Sequence, residues 1–284
     1  MKLGVVMDPI ESINFKKDST LAMMLEAQAR EHQLFYMTPN SLYLNENGAN
    51  ALANTITVKN DPMGWFEFNE EKQIRLSELD VILMRQDPPF NSNFIYNTYV
   101  LESAEREGVL VINKPASLRD CNEKVFATEF PECCTPFLVS SKASLLKSFI
   151  EDHKDTVIKP LDGMGGSSVF RLRNTDPNLN VILETITDSF ITKVMIQTYI
   201  PEITDGDKRI LLVNGIPMKA AVARVPAEGE LRGNLAAGAS AVARSLTEKD
   251  LWICEQVGPK LKELGLVLVG VDIIGDYLTE INVT

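Results

Sequence analysis

Lys159-Pro160-Leu161-Asp162-Gly163-Met164-Gly165-Gly166-Ser167-Ser168 decides the fold through its flanks. Thr156 to Lys159 before it and Val169 to Leu172 after it are short runs of strand character, so the glycine-rich segment is the tip of a hairpin. It has no Gly-Lys-Ser/Thr ending and no Gly-x-Gly-x-x-Gly spacing, which excludes a Walker loop and a dinucleotide fingerprint. Glycines and serines at such a tip let backbone N–H groups converge on phosphate oxygens without Cβ obstruction, and Lys159 leaves the first strand as a fixed positive charge. A plain glycine hairpin accounts for the glycines but not for the lysine.

Around this hairpin, a helix over Asn178 to Thr187 and a strand over Val194 to Tyr199 complete a small α+β unit beginning near Asn122. Upstream the pattern differs. Leu3 to Met7 reads as a strand, and Asp18 as N-cap of a helix over Ser19 to Glu31 with Leu21, Met24, Leu25 and Gln28 on one face. Leu34 to Met37 is the next strand, and Asn47-Gly48 marks a hairpin. Val81 to Met84 ends at Asp87-Pro88-Pro89, the helix from about Asn93 to Glu107 stops at Gly108, and Val109 to Ile112 is a further strand. Strands separated by helices predict a mostly parallel, doubly wound α/β sheet. Downstream, Lys208 to Val213, the Asn214-Gly215 turn and a return strand carrying Arg224 precede Thr247 and Asp250, which open a helix to about Glu263 as a capping box.

Val271-Asp272-Ile273-Ile274-Gly275-Asp276-Tyr277-Leu278-Thr279-Glu280-Ile281-Asn282 reads as a second hairpin. A two-residue turn at Gly275-Asp276 pairs Asp272 with Thr279 and sends Glu280 to the opposite face. A three-residue turn, Gly275 to Tyr277, pairs Asp272 with Glu280, and this register is expected. Asp272, Glu280 and Asn282 on one face are hard oxygen donors suited to Mg²⁺, with a solvated strand face as the bland alternative.

Residues 204 to 244 carry a balance of +2 against −13 for the rest, in a chain of 284 residues with net charge −11. The basic island comprises Lys208, Arg209, Lys219, Arg224, Arg232 and Arg244. Singly, such arginines are more often surface ion-pair partners than ligands; together they suit carboxylate and phosphate. Val225 to Ala239 between them is too long and too rich in glycine for a simple turn, and is a candidate lid. Overall acidity argues against a nucleic-acid backbone or an anionic membrane as partner. No apolar run reaches a membrane span, and the amino terminus reads as a strand rather than a signal peptide, which predicts a cytoplasmic protein. The four cysteines, Cys121, Cys133, Cys134 and Cys254, form no zinc spacing or disulfide framework and are expected to be reduced. With two histidines, His32 and His153, and no Gly-x-Ser-x-Gly elbow, neither a histidine metal centre nor a Ser-His-Asp triad is expected.

Lys159 with its Asp-Gly-Met-Gly-Gly loop, Gly206-Asp207-Lys208-Arg209, Arg224, Arg232-Gly233-Asn234-Leu235-Ala236-Ala237-Gly238, and Val271 to Gly275 followed by Glu280 to Thr284 resemble the bacterial glutathione synthetases, members of the ATP-grasp ligases. The likeness extends from Leu3 through Asp87-Pro88-Pro89 and Asn113-Lys114-Pro115 to the last residue. It implies an ATP-grasp fold with an N-terminal doubly wound domain over 1–121, a central small domain over 122–203 and a C-terminal catalytic domain over 204–284. It implies ligation of γ-glutamylcysteine to glycine with ATP through an acyl phosphate, in a homo-oligomer. By resemblance, Lys124 and Lys159 contact the ATP phosphates, and Gly163, Gly165, Gly166 and Ser167 close over them. Gln197, Thr198, Tyr199 and Ile200 hold adenine, and Asp207 approaches the ribose. Asp272, Glu280 and Asn282 bind Mg²⁺, with Mn²⁺ as an alternative. Arg209, Arg224, Arg232 and Asn234 serve the peptide substrate and transferred phosphate. Another ATP-grasp ligase, D-alanine:D-alanine or glutamate-adding, and a non-catalytic nucleotide-binding protein of the same fold are the alternatives. Two departures stand out: Ala239-Ser240 where the family has glycine and arginine, and a stop at Thr284 where relatives continue with Ser-Pro-Thr and a final helix, which is expected to be a missing tail rather than the natural end.

Overall fold

The computed structural model describes residues 1–163, 165–227, 233 and 238–284. They form two compact units, one of residues 1–120, 264–266 and 284, the other of residues 121–263 and 267–283.

The first unit is a seven-stranded sheet of β1 (Lys2–Met7), β2 (Gln33–Met37), β3 (Leu42–Asn45), β4 (Gly48–Val58), β5 (Phe66–Arg75), β6 (Val81–Arg85) and β7 (Leu110–Ile112). The spatial order is β3-β4-β2-β1-β6-β7, with β5 on β4. Only β2, β1, β6 and β7 are mutually parallel; β3, β4 and β5 extend the sheet as an antiparallel ribbon. The sheet is therefore more mixed than the strand-helix alternation predicts. β5 leaves most of its side chains in water, so no apolar alternation announces it.

Helix α1 (Ser19–Ala29) starts where the Asp18 carboxylate accepts the Leu21 N–H at 2.6 Å. Its Leu21, Met24 and Ala27 pack on Leu3, Val5 and Met7 of β1, Leu34 and Tyr36 of β2, and Leu83 of β6. Helix α2 (Ser92–Arg106) links β6 to β7, in the opposite direction across the sheet from the α1 crossover. Right-handed crossovers in opposite directions place α1 and α2 on opposite faces. The short α3 (Pro115–Asp120) follows β7.

The second unit holds two sheets. In the first, β8 (Phe137–Ser140), β9 (Asp155–Pro160), β10 (Phe170–Arg173) and β11 (Val194–Thr198) are antiparallel in the order β10-β9-β11-β8. Helices α4 (Ala143–His153) and α5 (Leu179–Ile186) cover one face, where Leu146, Ile150, Ile158, Leu172, Leu183, Val194 and Ile196 form the core. The two-residue period turns Val157, Lys159, Arg171, Met195 and Gln197 to the other face.

The second sheet contains β12 (Asp207–Val213), β13 (Ile216–Pro217), β14 (Ala220–Val225), β15 (Ser240–Ser245), β16 (Leu268–Ile274) and β17 (Tyr277–Asn282), in the order β15-β14-β12-β16-β17 with β13 on β12. Helix α6 (Glu248–Glu263) begins with the expected box: Thr247 N–H donates to Asp250 Oδ2 at 2.9 Å and Asp250 N–H to Thr247 Oγ1 at 3.1 Å. Asp250 also accepts from Lys208, which donates to the Gly275 carbonyl at 3.0 Å and so ties α6 to the β16–β17 turn.

Candidate active site

The β16–β17 hairpin pairs Asp272 with Glu280, as the spacing predicts, but by another route. The turn is the two-residue Gly275-Asp276, between paired Ile274 and Tyr277, and Ile273 pairs with Leu278. A bulge then leaves Thr279 without an opposite residue and restores Asp272 to Glu280 and Gly270 to Asn282. The three-residue turn is thus corrected to a shorter turn plus one extra residue. The same bulge brings the Thr279 carbonyl to 3.4 Å from Lys159 Nζ and its hydroxyl to 3.1 Å from the Asp272 carbonyl.

Strand register assembles the charged centre. β12 sets Arg209 opposite Asp272 of β16 and Asp207 opposite Arg224 of β14. Arg209 grips Asp272 with two guanidinium nitrogens, Nη2 at 2.7 Å from Oδ2 and Nε on Oδ1. Arg224 Nη2 lies 2.8 Å from Asp272 Oδ2 and also donates to Asp207, while Asn282 Nδ2 reaches Asp272 Oδ2 at 3.2 Å. Asp272 is 1% exposed. Burial works to raise its carboxyl, but the two guanidinium groups outweigh it and hold Asp272 below the usual carboxylate range. For Asp207 the balance reverses: burial first, then repulsion from Asp272, push it up to about 7. Arg209 is desolvated, which opposes its charge, yet Asp272 beside it keeps it above its ordinary value.

Lys124 and Lys159, both buried, converge on Glu280, each with Nζ 3.7 Å from Oε1. Lys124 is held more closely by Glu123 Oε1 at 2.6 Å and the Gly163 carbonyl at 2.8 Å. Its position follows from Asn122, whose Oδ1 accepts the N–H groups of Lys124 (3.1 Å) and Val125 (3.0 Å) and whose Nδ2 donates to the Leu161 carbonyl at 2.9 Å. Glu123 also accepts the Ile281 N–H through its carbonyl at 2.8 Å. Residues 122–124 therefore join the glycine loop to the strand bearing Glu280, a role that an asparagine in a polar loop announces only as an Asx turn.

Gly163, Gly165, Gly166 and Ser167 lie between β9 and β10, and Gly165 and Gly166 have positive φ. Gln197 sits on the helix-free face with Lys159. The N–H groups of Thr198 and Tyr199 already donate to the Pro136 and Asp155 carbonyls, both at 3.0 Å, so these two groups do not face a base as unoccupied donors. Arg171 stacks 3.6 Å above the centre of the Tyr199 ring and holds Asp155 through two nitrogens at 2.7 and 2.6 Å. Asp207, expected near a ribose, is engaged with Arg224 in the carboxylate–guanidinium network. Arg232 and Asn234 lie outside the described residues, as does most of the candidate lid. Among the described residues, the structure brings together Lys124, Lys159 and Glu280, and likewise Arg209, Arg224, Asp207, Asp272 and Asn282. Asn122, Glu123, Asp155 and Arg171 are not announced by the sequence: the first two act on the neighbouring Lys124, and Asp155 and Arg171 act on Tyr199 from distant points in the chain. No described helix is long and apolar enough to cross a membrane.

Residues 1–119 match the prokaryotic glutathione synthetase N-terminal domain, and residues 123–284 match the ATP-grasp domain of the same family. The glutathione synthetase of Pseudomonas putida is 58% identical over 284 residues, covering 100% of this chain and 90% of the relative. That of Vibrio parahaemolyticus is 55% identical, again over 100% of this chain and 90% of the relative. Among solved structures, a D-cycloserine synthetase aligns with a TM-score of 0.66 at 14% identity, over 99% of this chain and 91% of that one. An ATP-grasp ligase of Chryseobacterium gregarium with bound ADP aligns with a TM-score of 0.67 at 14% identity, over 100% and 89%. The structural likeness establishes the ATP-grasp fold, and the sequence match over both domains establishes that this chain belongs to the prokaryotic glutathione synthetase family.

Proposed function

We propose that the chain joins γ-glutamylcysteine to glycine, with ATP converted to ADP and phosphate, and so forms glutathione. What carries this reading is the meeting of two buried lysines, Lys124 and Lys159, with Glu280 on the hairpin that also bears Asp272, in a chain related to glutathione synthetases along its whole length. The cysteinyl carboxylate attacks the γ-phosphorus as the bond to the β-phosphate breaks. The glycine amine then attacks the acyl carbon, loses a proton, and phosphate leaves. No enzyme nucleophile is required, so the residues act by charge and position. Lys124 and Lys159 bind phosphate oxygens, exchanging carbonyl partners at Gly163 and Thr279 for them. The glycine loop covers the phosphates through its N–H groups. Arg209 and Arg224 face the transferred phosphoryl group and the peptide carboxylate, with Arg232 and Asn234 joining them; Gln197 to Ile200 flank the base, and Asp207 sets Arg224.

Asp272, Glu280 and Asn282 would hold Mg²⁺ or Mn²⁺. The donor set fits: two carboxylates and an amide side chain share one face of the β16–β17 hairpin, and Asp272 is kept ionised by its neighbours. Such an ion supplies positive charge to the phosphate oxygens. A closed site keeps water from the acyl phosphate, the task proposed for Val225 to Ala239. A central domain over 122–203 and a C-terminal domain over 204–284, a homo-oligomer and a cytoplasmic location belong to the same reading. Coupled ADP release with γ-glutamylcysteine and glycine, with the tripeptide identified by mass, tests it. ADP release with D-alanine or glutamate as acceptor, and none with glycine, would overturn it.

A further inference from the structure

The helix-free face of the four-stranded sheet carries charge at both ends. β9 brings Lys159 to one end and Asp155 to the other, which at the rise of a strand is a separation of about 13 Å. Register gathers further side chains around Asp155. β10 sets Arg173 opposite Asp155 and Arg171 opposite Val157. Tyr199 follows β11 at the level of Asp155, for its N–H donates to the Asp155 carbonyl at 3.0 Å and continues the pairing of Thr198 with Thr156. Antiparallel partners share a face, so Asp155, Arg171, Arg173 and Tyr199 lie on the same side of the sheet as Gln197 and Lys159.

Asp155 therefore holds Tyr199 twice. Its carbonyl fixes the main chain, and its carboxylate grips Arg171 at Nε (2.7 Å) and Nη2 (2.6 Å), whose guanidinium lies 3.6 Å from the centre of the Tyr199 ring. Arg173 adds Nη2 at 2.9 Å to the same carboxylate. A guanidinium held by two parallel bonds is fixed in its plane, and a ring stacked on that plane cannot turn freely. The side chains of Arg171 and Asp155 are 29% and 30% exposed. An ion pair so open to water adds little to folding, so stability alone does not account for the fork and the stacked ring. The distance from Lys159 is that of an extended nucleoside triphosphate, terminal phosphate to base. Resting on the function proposed above, in which Lys159 meets the phosphates and Gln197 to Ile200 flank the base, we propose that Arg171 and Asp155 are positioning residues that lock the Tyr199 ring as the end wall of the base pocket. The ring is then ordered before ATP arrives, and binding does not bear that entropic cost.

The test sets ATP, which has a base, against inorganic triphosphate, which has none, in the full chain. Arg171→Met is expected to raise KM for ATP about fivefold, the worth of one stacked cation. The inhibition constant of inorganic triphosphate against ATP, KM for glycine and kcat should all stay within about twofold. Arg171→Lys keeps a cation over the ring and should recover part of the loss. Tyr199→Leu should raise KM for ATP at least as far, and adding Arg171→Met to it should raise KM no further, because Arg171 acts only through the ring. If Arg171→Met fails to fold, Asp155→Asn decides: it keeps the carbonyl that the Tyr199 N–H uses, and should raise KM for ATP about threefold with triphosphate inhibition unchanged. Equal weakening of ATP and triphosphate would mark a purely structural role and overturn the proposal. Additive losses in the double variant, or a Tyr199→Leu enzyme with unchanged KM for ATP, would overturn it as well. An unsubstituted chain that does not turn over ATP with γ-glutamylcysteine and glycine would instead overturn the function on which the proposal rests.

Discussion

Replacing Glu280 by Gln and Asp272 by Asn separates chemistry from architecture, because the two carboxylates are embedded so differently. Glu280 lies 3.7 Å from each lysine, and both lysines keep nearer partners, Glu123 and the Gly163 carbonyl for Lys124, the Thr279 carbonyl for Lys159. Its neutralisation should cost about 1 kcal/mol, and the thermal midpoint should fall by no more than about 4 °C. Asp272 is buried under two guanidinium groups, and its neutralisation leaves Arg209 and Arg224 short of a counter-charge. Breaking such a pair costs about 3–5 kcal/mol, or roughly 6–20 °C. Activity should behave otherwise: each single change is expected to lower Mg²⁺-dependent turnover at least about a hundredfold. The double change should lose far less than the product of the two, because one ion cannot be lost twice. The assay is ADP release against Mg²⁺ concentration for the single and double variants, alongside thermal unfolding. Multiplicative losses would refute a shared ion, and a Glu280→Gln midpoint falling as far as that of Asp272→Asn would refute the energetic contrast.

Gly165→Val meets no atom within 4 Å of its new Cβ but must adopt φ +67°, so calorimetry should show weakened ATP binding with the fold retained. Asn122→Asp keeps the acceptor for the Lys124 N–H and loses the donor to the Leu161 carbonyl; KM for ATP should rise several-fold in steady-state kinetics, with KM for glycine unchanged. The Arg171 hydrogen bond, helped by Arg173, holds Asp155 at about 2 against partial burial. A carboxyl so depressed contributes stability above its unfolded value near 4 and loses it as pH falls toward 2. The side chain is partly exposed, so the contribution is no more than about 1 kcal/mol, and acid unfolding of Asp155→Asn should lack that part of the transition. Burial pushes the Cys133 thiol up to about 11 and those of Cys134 and Cys254 up to about 12. At pH 7.5 a disulfide reagent should therefore label these three slowly in the native protein and rapidly once denaturant is added.

Local chemistry made much of this protein legible in its sequence. Asp18, the Thr247/Asp250 box and Asn47-Gly48 act through neighbours only a few residues away, and each feature occurs as its side chains dictate. The lysine beside three glycines and the paired carboxylates of the last hairpin were equally visible, being properties of residue type and spacing. Tertiary structure decided what depended on distant partners. A bulge at Thr279, which composition does not announce, reset the register that turn length alone would assign. Arg209 meets Asp272 across 63 positions because β12 and β16 are neighbours, and that contact determines which carboxylate stays charged. Strand order, burial and charge neighbours are properties of the packed chain, and local spacing cannot encode them by itself.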